Sequence, residues 1–112
     1  MNNKSNYRVF NEEEASLLLQ SANGTPIVMK FSADWKGTSQ IMDNILKELS
    51  AEYPKNIHFV KIDTEDSEAF ANEFGVHRIP TTLIFKDKTM IDHFEGMLPK
   101  QEVKEKIEKA MG

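Results

Sequence analysis

Four consecutive residues, Lys36-Gly37-Thr38-Ser39, carry groups that bind anions in many proteins. A lysine ammonium, two hydroxyls and the unpaired amides at the start of a helix can together hold a phosphate or a carboxylate. The segment lacks the GxxxxGK[ST] order of a P-loop, so it does not predict a nucleotide site. We interpret Thr38 and Ser39 as capping residues of a helix, with anion binding as the alternative.

The other reactive side chains predict neither catalysis nor metal binding. The chain contains no cysteine, which excludes disulfides, thiolate nucleophiles and cysteine-ligated metals. The histidines His58, His77 and His93 fall on different predicted elements, without the spacing of a metal site. Lys36 would act as an amine nucleophile only if a hydrophobic pocket lowered its pKa, and the neighbouring sequence predicts no such pocket. We therefore expect no metal and no cofactor.

Composition excludes two classes of partner. The 112 residues include 14 Lys and Arg and 18 Asp and Glu, which gives a net charge of -4. A nucleic-acid-binding protein needs a basic face, so we expect none here. No apolar run approaches the roughly 20 residues that span a bilayer, and residues 1–10 do not resemble a signal peptide. We expect a cytoplasmic protein, monomeric by default and without a membrane partner; a periplasmic chain whose signal has been removed is the alternative.

Hydrophobic periodicity predicts strands that alternate with helices. Apolar runs bounded by glycine, proline or polar residues predict strands at 7–10, 27–31, 57–63, 81–85 and 90–94. Apolar residues at helical spacing predict the intervening helices and a last one after Pro99. Asn11 and Glu14 form a capping box at the start of the first helix. Ser67 caps the third helix, and Gly75 ends it.

The order β-α-β-α-β-α-β-β-α is typical of an α/β fold with a central mixed β-sheet flanked by helices on both faces. Asp87-Lys88 is a candidate two-residue turn, which would join the last two strands as an antiparallel hairpin. No linker, repeat or low-complexity segment interrupts the pattern. We therefore predict a single domain over residues 1–112, with its core at about 7–111.

The segment Phe31-Ser32-Ala33-Asp34-Trp35-Lys36-Gly37-Thr38-Ser39 resembles the active-site segment of the thioredoxin family. In that family a strand ending in F-x-A-x-W leads to C-G-P-C at the start of a helix. The resemblance continues, in order and at the family's spacing, through VKID at 60–63, FGVHRIPT at 74–81, FK at 85–86 and FEG at 94–96. It implies a thioredoxin-like fold and a cis Ile79–Pro80 peptide bond facing the active-site loop.

Three positions depart from the family at its redox centre. The family's cysteines would stand at positions 36 and 39, where this chain has Lys36 and Ser39, and the proline between them is Thr38. Dithiol–disulfide exchange needs one thiolate to attack sulfur and a second thiol to resolve the mixed disulfide. A lysine at the helix start is also the reverse of the tuning that favours a thiolate there. These residues therefore predict a redox-inactive member.

Lys30 is a fourth departure, because the resemblance places the family's buried acid at this position. The family's lysine on the neighbouring strand is retained as Lys61. Alternation along the strand puts Lys30 on the same face as Val28, so the two lysines should crowd one place. Burial of an unpaired ammonium is unfavourable. We predict that Lys30 either reaches solvent or pairs with a carboxylate, for which Asp63 is the candidate.

The resemblance also implies a shallow groove in which an extended substrate peptide lies. Carried onto this sequence, the groove, called here the Pro80 groove, consists of Trp35, Lys36, Gly37, Val76, Ile79, Pro80 and Met97. A peptide would bind there by strand addition. We predict a non-catalytic adaptor that holds a protein or peptide segment; an inherited groove without a ligand is the alternative. The competing functions are a structural subunit and the family's protein-disulfide reductase activity, which would need thiols from a partner.

Overall fold

Strands and helices alternate in the predicted order along residues 7–33 and 37–112, the part of the chain that this computed structural model describes, without the side chain of Thr38. In chain order the elements are β1 (Arg8–Val9), α1 (Glu12–Ser21), β2 (Ile27–Ser32), α2 (Gly37–Glu52), β3 (His58–Asp63), α3 (Glu68–Glu73), β4 (Thr81–Lys86), β5 (Thr89–Glu95) and α4 (Lys100–Met111).

The strands form one mixed sheet in the order β1-β3-β2-β4-β5. The strands β1, β3 and β2 are parallel, whereas β4 is antiparallel to β2 and β5 is antiparallel to β4. Phe31 at the end of β2 pairs with Thr81 at the start of β4. The loop that follows β2 and the Ile79-Pro80 segment that precedes β4 therefore meet at the same end of the sheet.

The first strand is shorter than predicted, because the chain turns into α1 directly after it. Only Arg8 and Val9 pair with β3, and one further hydrogen bond runs from the Phe10 N–H to the Lys61 carbonyl at 2.8 Å. Asn11 then caps α1, and its side chain accepts a hydrogen bond from the Glu14 N–H at 2.8 Å. The Glu14 carboxylate in turn accepts from the Asn11 N–H at 3.0 Å, which confirms the capping box.

Alternation along β2 separates two hydrophobic clusters on the two faces of the sheet. Ile27, Met29 and Phe31 belong to the cluster that includes residues of α1 and α3. Val28 belongs to the cluster that includes residues of α2 and α4. Residues two apart in a strand share a face, so Lys30 lies on the side of α2 and α4, as its position relative to Val28 predicted.

Of three further local signals, two are confirmed, and the third is correct in its position but lacks the capping bond. Asp87 and Lys88 form a two-residue hairpin loop, with φ of 52° and 69°. Gly75, with φ of +72°, follows the end of α3, where the Val76 N–H bonds to the Ala71 carbonyl at 3.0 Å. Ser67 precedes α3 but its side chain makes no capping bond, because its φ of -135° and ψ of 47° differ from the extended backbone of a side-chain cap.

Candidate functional site

The candidate site lies where the loop after β2 meets the segment before β4. Trp35 and Lys36, two of the residues predicted for it, lie outside the described residues. Gly37 is exposed and is the first residue of α2. Ser39, which stands at the family's second cysteine position, lies two residues further along the helix with only 1% of its surface exposed.

The hydroxyl of Ser39 is buried without a hydrogen-bond partner in the part of the chain that the structure describes. A serine becomes a nucleophile when a base within hydrogen-bond reach takes its proton. The nearest described cation, the Lys30 ammonium, donates instead to the main-chain carbonyl of Ser39 at 3.1 Å. Ser39 is therefore neither activated for attack nor open to an anion from solvent, and the anion site considered as the alternative at 36–39 loses one of its two hydroxyls.

Lys30 is fully buried, with 0% of its surface exposed, and it is paired with a carboxylate. The partner is Asp43 on α2 and not Asp63, so the predicted pairing is correct in kind but wrong in the residue. Asp63 lies at the end of β3, where its carboxylate accepts the Glu65 N–H at 2.8 Å and closes a turn. Asp43 reaches Lys30 from the helix that covers this face of the sheet.

Asp43 was missed by the sequence analysis, although one signal could have found it. Residues four apart lie on the same side of a helix, and Asp43 follows the buried Ser39 by four and precedes the buried Leu46 by three. An acidic residue at this spacing faces the sheet. The strand position that places Lys30 under α2 and the helix position of Asp43 together predict the pair.

Four residues make up what we call the Asp43 cluster: Tyr7, Lys30, Asp43 and Lys61. The Lys61 ammonium donates to Asp43 Oδ2 at 2.8 Å, and the Tyr7 hydroxyl donates to Asp43 Oδ1 at 2.6 Å. Lys30 and Lys61 are register partners on neighbouring strands, so both ammonium groups share this carboxylate. The crowding of two lysines that the sequence predicted is thus present, with an acid between them.

Asp43 is negatively charged although burial disfavours the charged form of a carboxyl group. Burial by itself raises the pKa of the Asp43 carboxyl, but hydrogen bonds from Lys30, Lys61 and Tyr7 outweigh it, so the pKa lies below its ordinary value. A lysine on each side and a hydroxyl donor all favour the ionised form. The cluster therefore keeps Asp43 charged at neutral pH.

The lowered pKa predicts how stability depends on pH. A carboxyl whose pKa is lower in the folded state contributes stability above its unfolded pKa of about 3.9, and this contribution is lost as the pH falls through the folded pKa. We expect the difference in the free energy of unfolding between the wild type and Asp43→Asn to be constant above about pH 5 and to shrink below about pH 4. Urea denaturation of both proteins at a series of pH values measures it.

Other carboxyls, such as Glu14 and Glu52, also have lowered pKa values. Their contribution to the pH dependence cancels when the free energies of unfolding of the wild type and Asp43→Asn are subtracted. The largest cause of the lowered pKa of Glu14 is its hydrogen bond with the backbone of Asn11. The largest cause of the lowered pKa of Glu52 is a hydrogen bond from Lys100. Both groups are present in the two proteins, so they cancel in the difference. A difference that stays constant down to about pH 2 would show that Asp43 does not titrate with a lowered pKa.

At the Pro80 groove the Ile79–Pro80 peptide bond is cis, the form that the resemblance implied. The carbonyl of Pro80 accepts the Gly96 N–H at 2.7 Å, and the Arg78 carbonyl accepts the Thr81 hydroxyl at 2.5 Å. The main chain of Ile79, between them, takes part in none of the hydrogen bonds found among the described residues. It is therefore available to an extended peptide.

The side chains of the Pro80 groove differ in how much surface they offer. Met97 is 48% exposed and Ile79 is partly exposed, whereas Val76 is only 6% exposed. Val76 and Ile79 both line a pocket of about 490 Å³, whose other lining residues are Thr64, Glu65, Glu68, Ala71, Asn72 and His77. The structure thus brings Val76 and Ile79 together, while Met97 lies outside this pocket.

The three histidines are all exposed and lie on different segments. Within residues 7–33 and 37–112, no three His, Asp or Glu side chains are grouped so that they could hold a metal ion. Over the same residues, no helix is both long enough and apolar enough to cross a bilayer.

Sequence comparisons relate the chain to thioredoxins. The family model described as Thioredoxin matches residues 7–109. The chloroplastic thioredoxin Y2 of Arabidopsis thaliana is 39% identical over 94 residues, which are 84% of this chain and 56% of that protein. The thioredoxin of Pyropia yezoensis is 36% identical over 78 residues, which are 70% of this chain and 73% of that protein. The chain spans about half the length of several curated relatives that it matches.

Comparison of structures confirms the thioredoxin-like fold. The crystal structure of thioredoxin NaTrxh from Nicotiana alata superimposes with a TM-score of 0.87 at 29% sequence identity. The match covers 98% of this chain and 96% of that one. The mixed sheet and the helices on its two faces therefore belong to a shared architecture.

Proposed function

The chain belongs to the thioredoxin family, and from this we propose that it is a redox-inactive member that binds an extended protein segment in the Pro80 groove. The observation that carries the proposal is the unused main chain of Ile79 beside the cis Pro80, in a chain without cysteine. The free main chain of Ile79 supports the binding of a segment, whereas the thiols that would react with it are missing from the sequence. Such a protein can bind a segment without changing it.

The loss of redox chemistry is supported at three positions. Lys36 and Ser39 replace both thiols, and the Ser39 hydroxyl has no described base beside it. Lys30 replaces the acid that the resemblance places below the cysteines, and its pairing with Asp43 favours the ammonium form. An ammonium group has no lone pair with which to accept a proton. The attacking group, the resolving group and the proton acceptor are thus all absent from their family positions.

Redox inactivity predicts a null result in a disulfide-reductase assay. We expect the purified protein, with dithiothreitol as electron donor, to reduce insulin no faster than dithiothreitol alone, because no thiol is available to form the mixed disulfide. A cysteine-bearing thioredoxin at the same concentration is the positive control. Turnover above the background would contradict the proposal.

Peptide binding is supported by the backbone and the side chains around Pro80. An exposed segment that offers unpaired main-chain groups can bind an extended peptide by strand addition, while neighbouring pockets receive its side chains. Ile79 offers the main-chain groups, Met97 offers exposed apolar surface, and a pocket lies against Val76 and Ile79. Trp35 and Lys36, outside the described residues, complete the groove by the resemblance.

The groove is tested with two methionines of similar exposure. Met97 in the groove and Met90 on β5 are 48% and 43% exposed, so aspartate at either place is tolerated by the fold to a similar degree. Peptides selected for binding from a displayed random library are titrated against the wild type, Met97→Asp and Met90→Asp. We expect Met97→Asp to weaken binding about tenfold or more, by removing apolar contact and burying a charge, and Met90→Asp to have little effect.

Two results would contradict peptide binding in the groove. One is a library selection that yields no peptide with saturable affinity, and the other is equal loss of affinity in the two methionine variants. Trp35→Ala serves as a second groove variant, chosen from the resemblance. Equal binding by the wild type and Trp35→Ala would favour the structural-subunit alternative.

A further inference from the structure

A second pocket, of about 360 Å³, lies over the Asp43 cluster and shares no residue with the Pro80 groove. We call it the Lys47 pocket. It is lined by Tyr7, Arg8, Val9, Asp43, Asn44, Lys47 and Lys61. Its volume is at the lower end of the range of small-molecule sites, about 300–1,000 Å³.

The charge around the Lys47 pocket is opposite to that of the protein as a whole. Arg8, Lys47 and Lys61 contribute +3 and Asp43 contributes -1 to its lining, which leaves +2. Lys30, which contacts Asp43 from the buried side, raises this to +3. The whole chain carries a net charge of -4. The pocket is therefore a local positive site on an acidic protein, and such a site attracts anions.

The negative charge of the carboxylate in the lining is offset by the two ammonium groups that it binds. Its Oδ1 accepts hydrogen bonds from Tyr7 and Lys30, and its Oδ2 accepts one from Lys61. Lys61 retains 18% exposure of its side chain while it makes this contact. Lys61 lines the pocket while it makes this contact, so its positive charge attracts an anion there.

Lys47 and Asn44 provide donors from one face of α2. They are exposed and three residues apart, so they are neighbours on the helix surface. Lys47 forms no salt bridge with the described residues, so its ammonium group is available to bind an anion. The guanidinium of Arg8 is engaged with the Phe10 ring at 4.0 Å and with Glu14 at 3.4 Å, so we do not assign it to the site.

Val9 gives the Lys47 pocket an apolar wall. It lies on the edge strand β1 and is 53% exposed, which is high for a valine of a strand. A free inorganic anion would gain nothing from this side chain, whereas an organic group attached to the anion would cover it. The combination of two ammonium groups, an amide and an apolar wall fits an anion with a small organic substituent.

We propose that the Lys47 pocket binds a small organic phosphate, with the phosphate monoester between Lys47, Lys61 and Asn44 and the organic part against Val9. A phosphate monoester carries up to two negative charges and three acceptor oxygens, which match two cations and an amide donor. The site is independent of peptide binding in the Pro80 groove. It also differs from the anion site that the sequence suggested at residues 36–39.

The proposal is tested by NMR titration of the ¹⁵N-labelled protein with inorganic phosphate and with phenyl phosphate, against sodium chloride at equal ionic strength. We expect saturable shifts at the amides of Val9, Asn44 and Lys47 with both phosphates, and tighter binding of phenyl phosphate. Lys47→Gln should weaken both by up to about fivefold, as the loss of an exposed ion pair predicts. Lys109→Gln, an exposed lysine at the end of α4, is the matched control and should bind as the wild type does.

Each other outcome contradicts the proposal. Shifts centred on Gly37 and Thr38 would assign the anion to the start of α2. Shifts that do not saturate, or that Lys47→Gln leaves unchanged, would show only general attraction of anions. Equal affinity for phosphate and phenyl phosphate would show that Val9 does not contribute to binding. If a phosphoserine peptide bound more tightly than phenyl phosphate, the ligand of the site would be a phosphorylated protein and not a small molecule.

Discussion

Replacement of Asp43 by asparagine is expected to lower the free energy of unfolding by about 3 kcal/mol. The substitution keeps the shape of the side chain but removes the charge that Lys30 and Lys61 share. Lys30 has no exposed surface, so water cannot replace the lost partner without opening the structure. Removal of one member of a buried ion pair costs far more than removal of one member of an exposed pair. Urea denaturation at pH 7 measures the difference.

Two further variants separate the buried charge from other effects. Asp92→Asn breaks the Asp92–Lys106 pair, whose side chains are 36% and 31% exposed, and should cost less than about 1 kcal/mol. Adding Lys30→Met to Asp43→Asn removes the ammonium that was left unpaired, so the double variant should be more stable than Asp43→Asn alone. Equal losses for Asp43→Asn and Asp92→Asn would mean that the Asp43 cluster behaves as a surface pair.

The double variant Lys36→Cys/Ser39→Cys is expected to show measurable disulfide-reductase activity. In the thioredoxin family these two positions carry the cysteines that form the redox disulfide. The Ser39 hydroxyl makes no hydrogen bond with the described residues, so a thiol at this position breaks none. We expect the oxidised variant to contain no free thiol, and the reduced variant to reduce insulin faster than dithiothreitol alone. Each single variant should remain at background, because it lacks either the attacking or the resolving thiol.

The restored variant should still be slower than a cysteine-bearing thioredoxin, by about tenfold or more. A positioned proton acceptor contributes about 10²–10⁴-fold to a reaction that moves a proton, and Lys30 cannot serve as one while it is an ammonium. Adding Lys30→Asp together with Asp43→Asn supplies an acid at the family position and leaves one carboxylate near Lys61. This four-residue variant should gain rate over the double variant. If the double variant alone matched an ordinary thioredoxin, position 30 would have no role in the rate.

The order of the elements could be predicted because local signals agree with the tertiary fold. The capping box at Asn11, the two-residue turn at Asp87 and the positive-φ end at Gly75 each depend on neighbours within a few residues. Alternation placed Lys30 on the correct face for the same reason. The length of β1 could not be predicted from residues 7–10 alone. The length of an edge strand depends on how many of its residues pair with the neighbouring strand, which here is β3.

The partner of Lys30 illustrates what a motif comparison leaves out. The resemblance identified the position of a missing acid, and the nearest acid along the neighbouring strand, Asp63, was the natural candidate. The structure instead uses Asp43, which belongs to a helix that crosses above the strand. Which helix residue lies over a given strand residue is set by the packing of α2 on the sheet. The capping bond predicted for the Ser67 side chain is absent for a related reason, since the backbone angles of Ser67 depend on the path of the chain after β3.

The hydrogen bond from Tyr7 to Asp43 links the beginning of the described chain to the middle of α2. The same carboxylate thus secures β1, which covers the outer edge of the six-residue strand β3 with only two paired residues. Loss of this hydrogen bond would weaken the attachment of β1, whose pairing covers the main-chain groups of Val60 and Lys61. An uncovered strand edge is a template for aggregation. An acid on α2 thus helps to keep the edge of a neighbouring sheet strand covered.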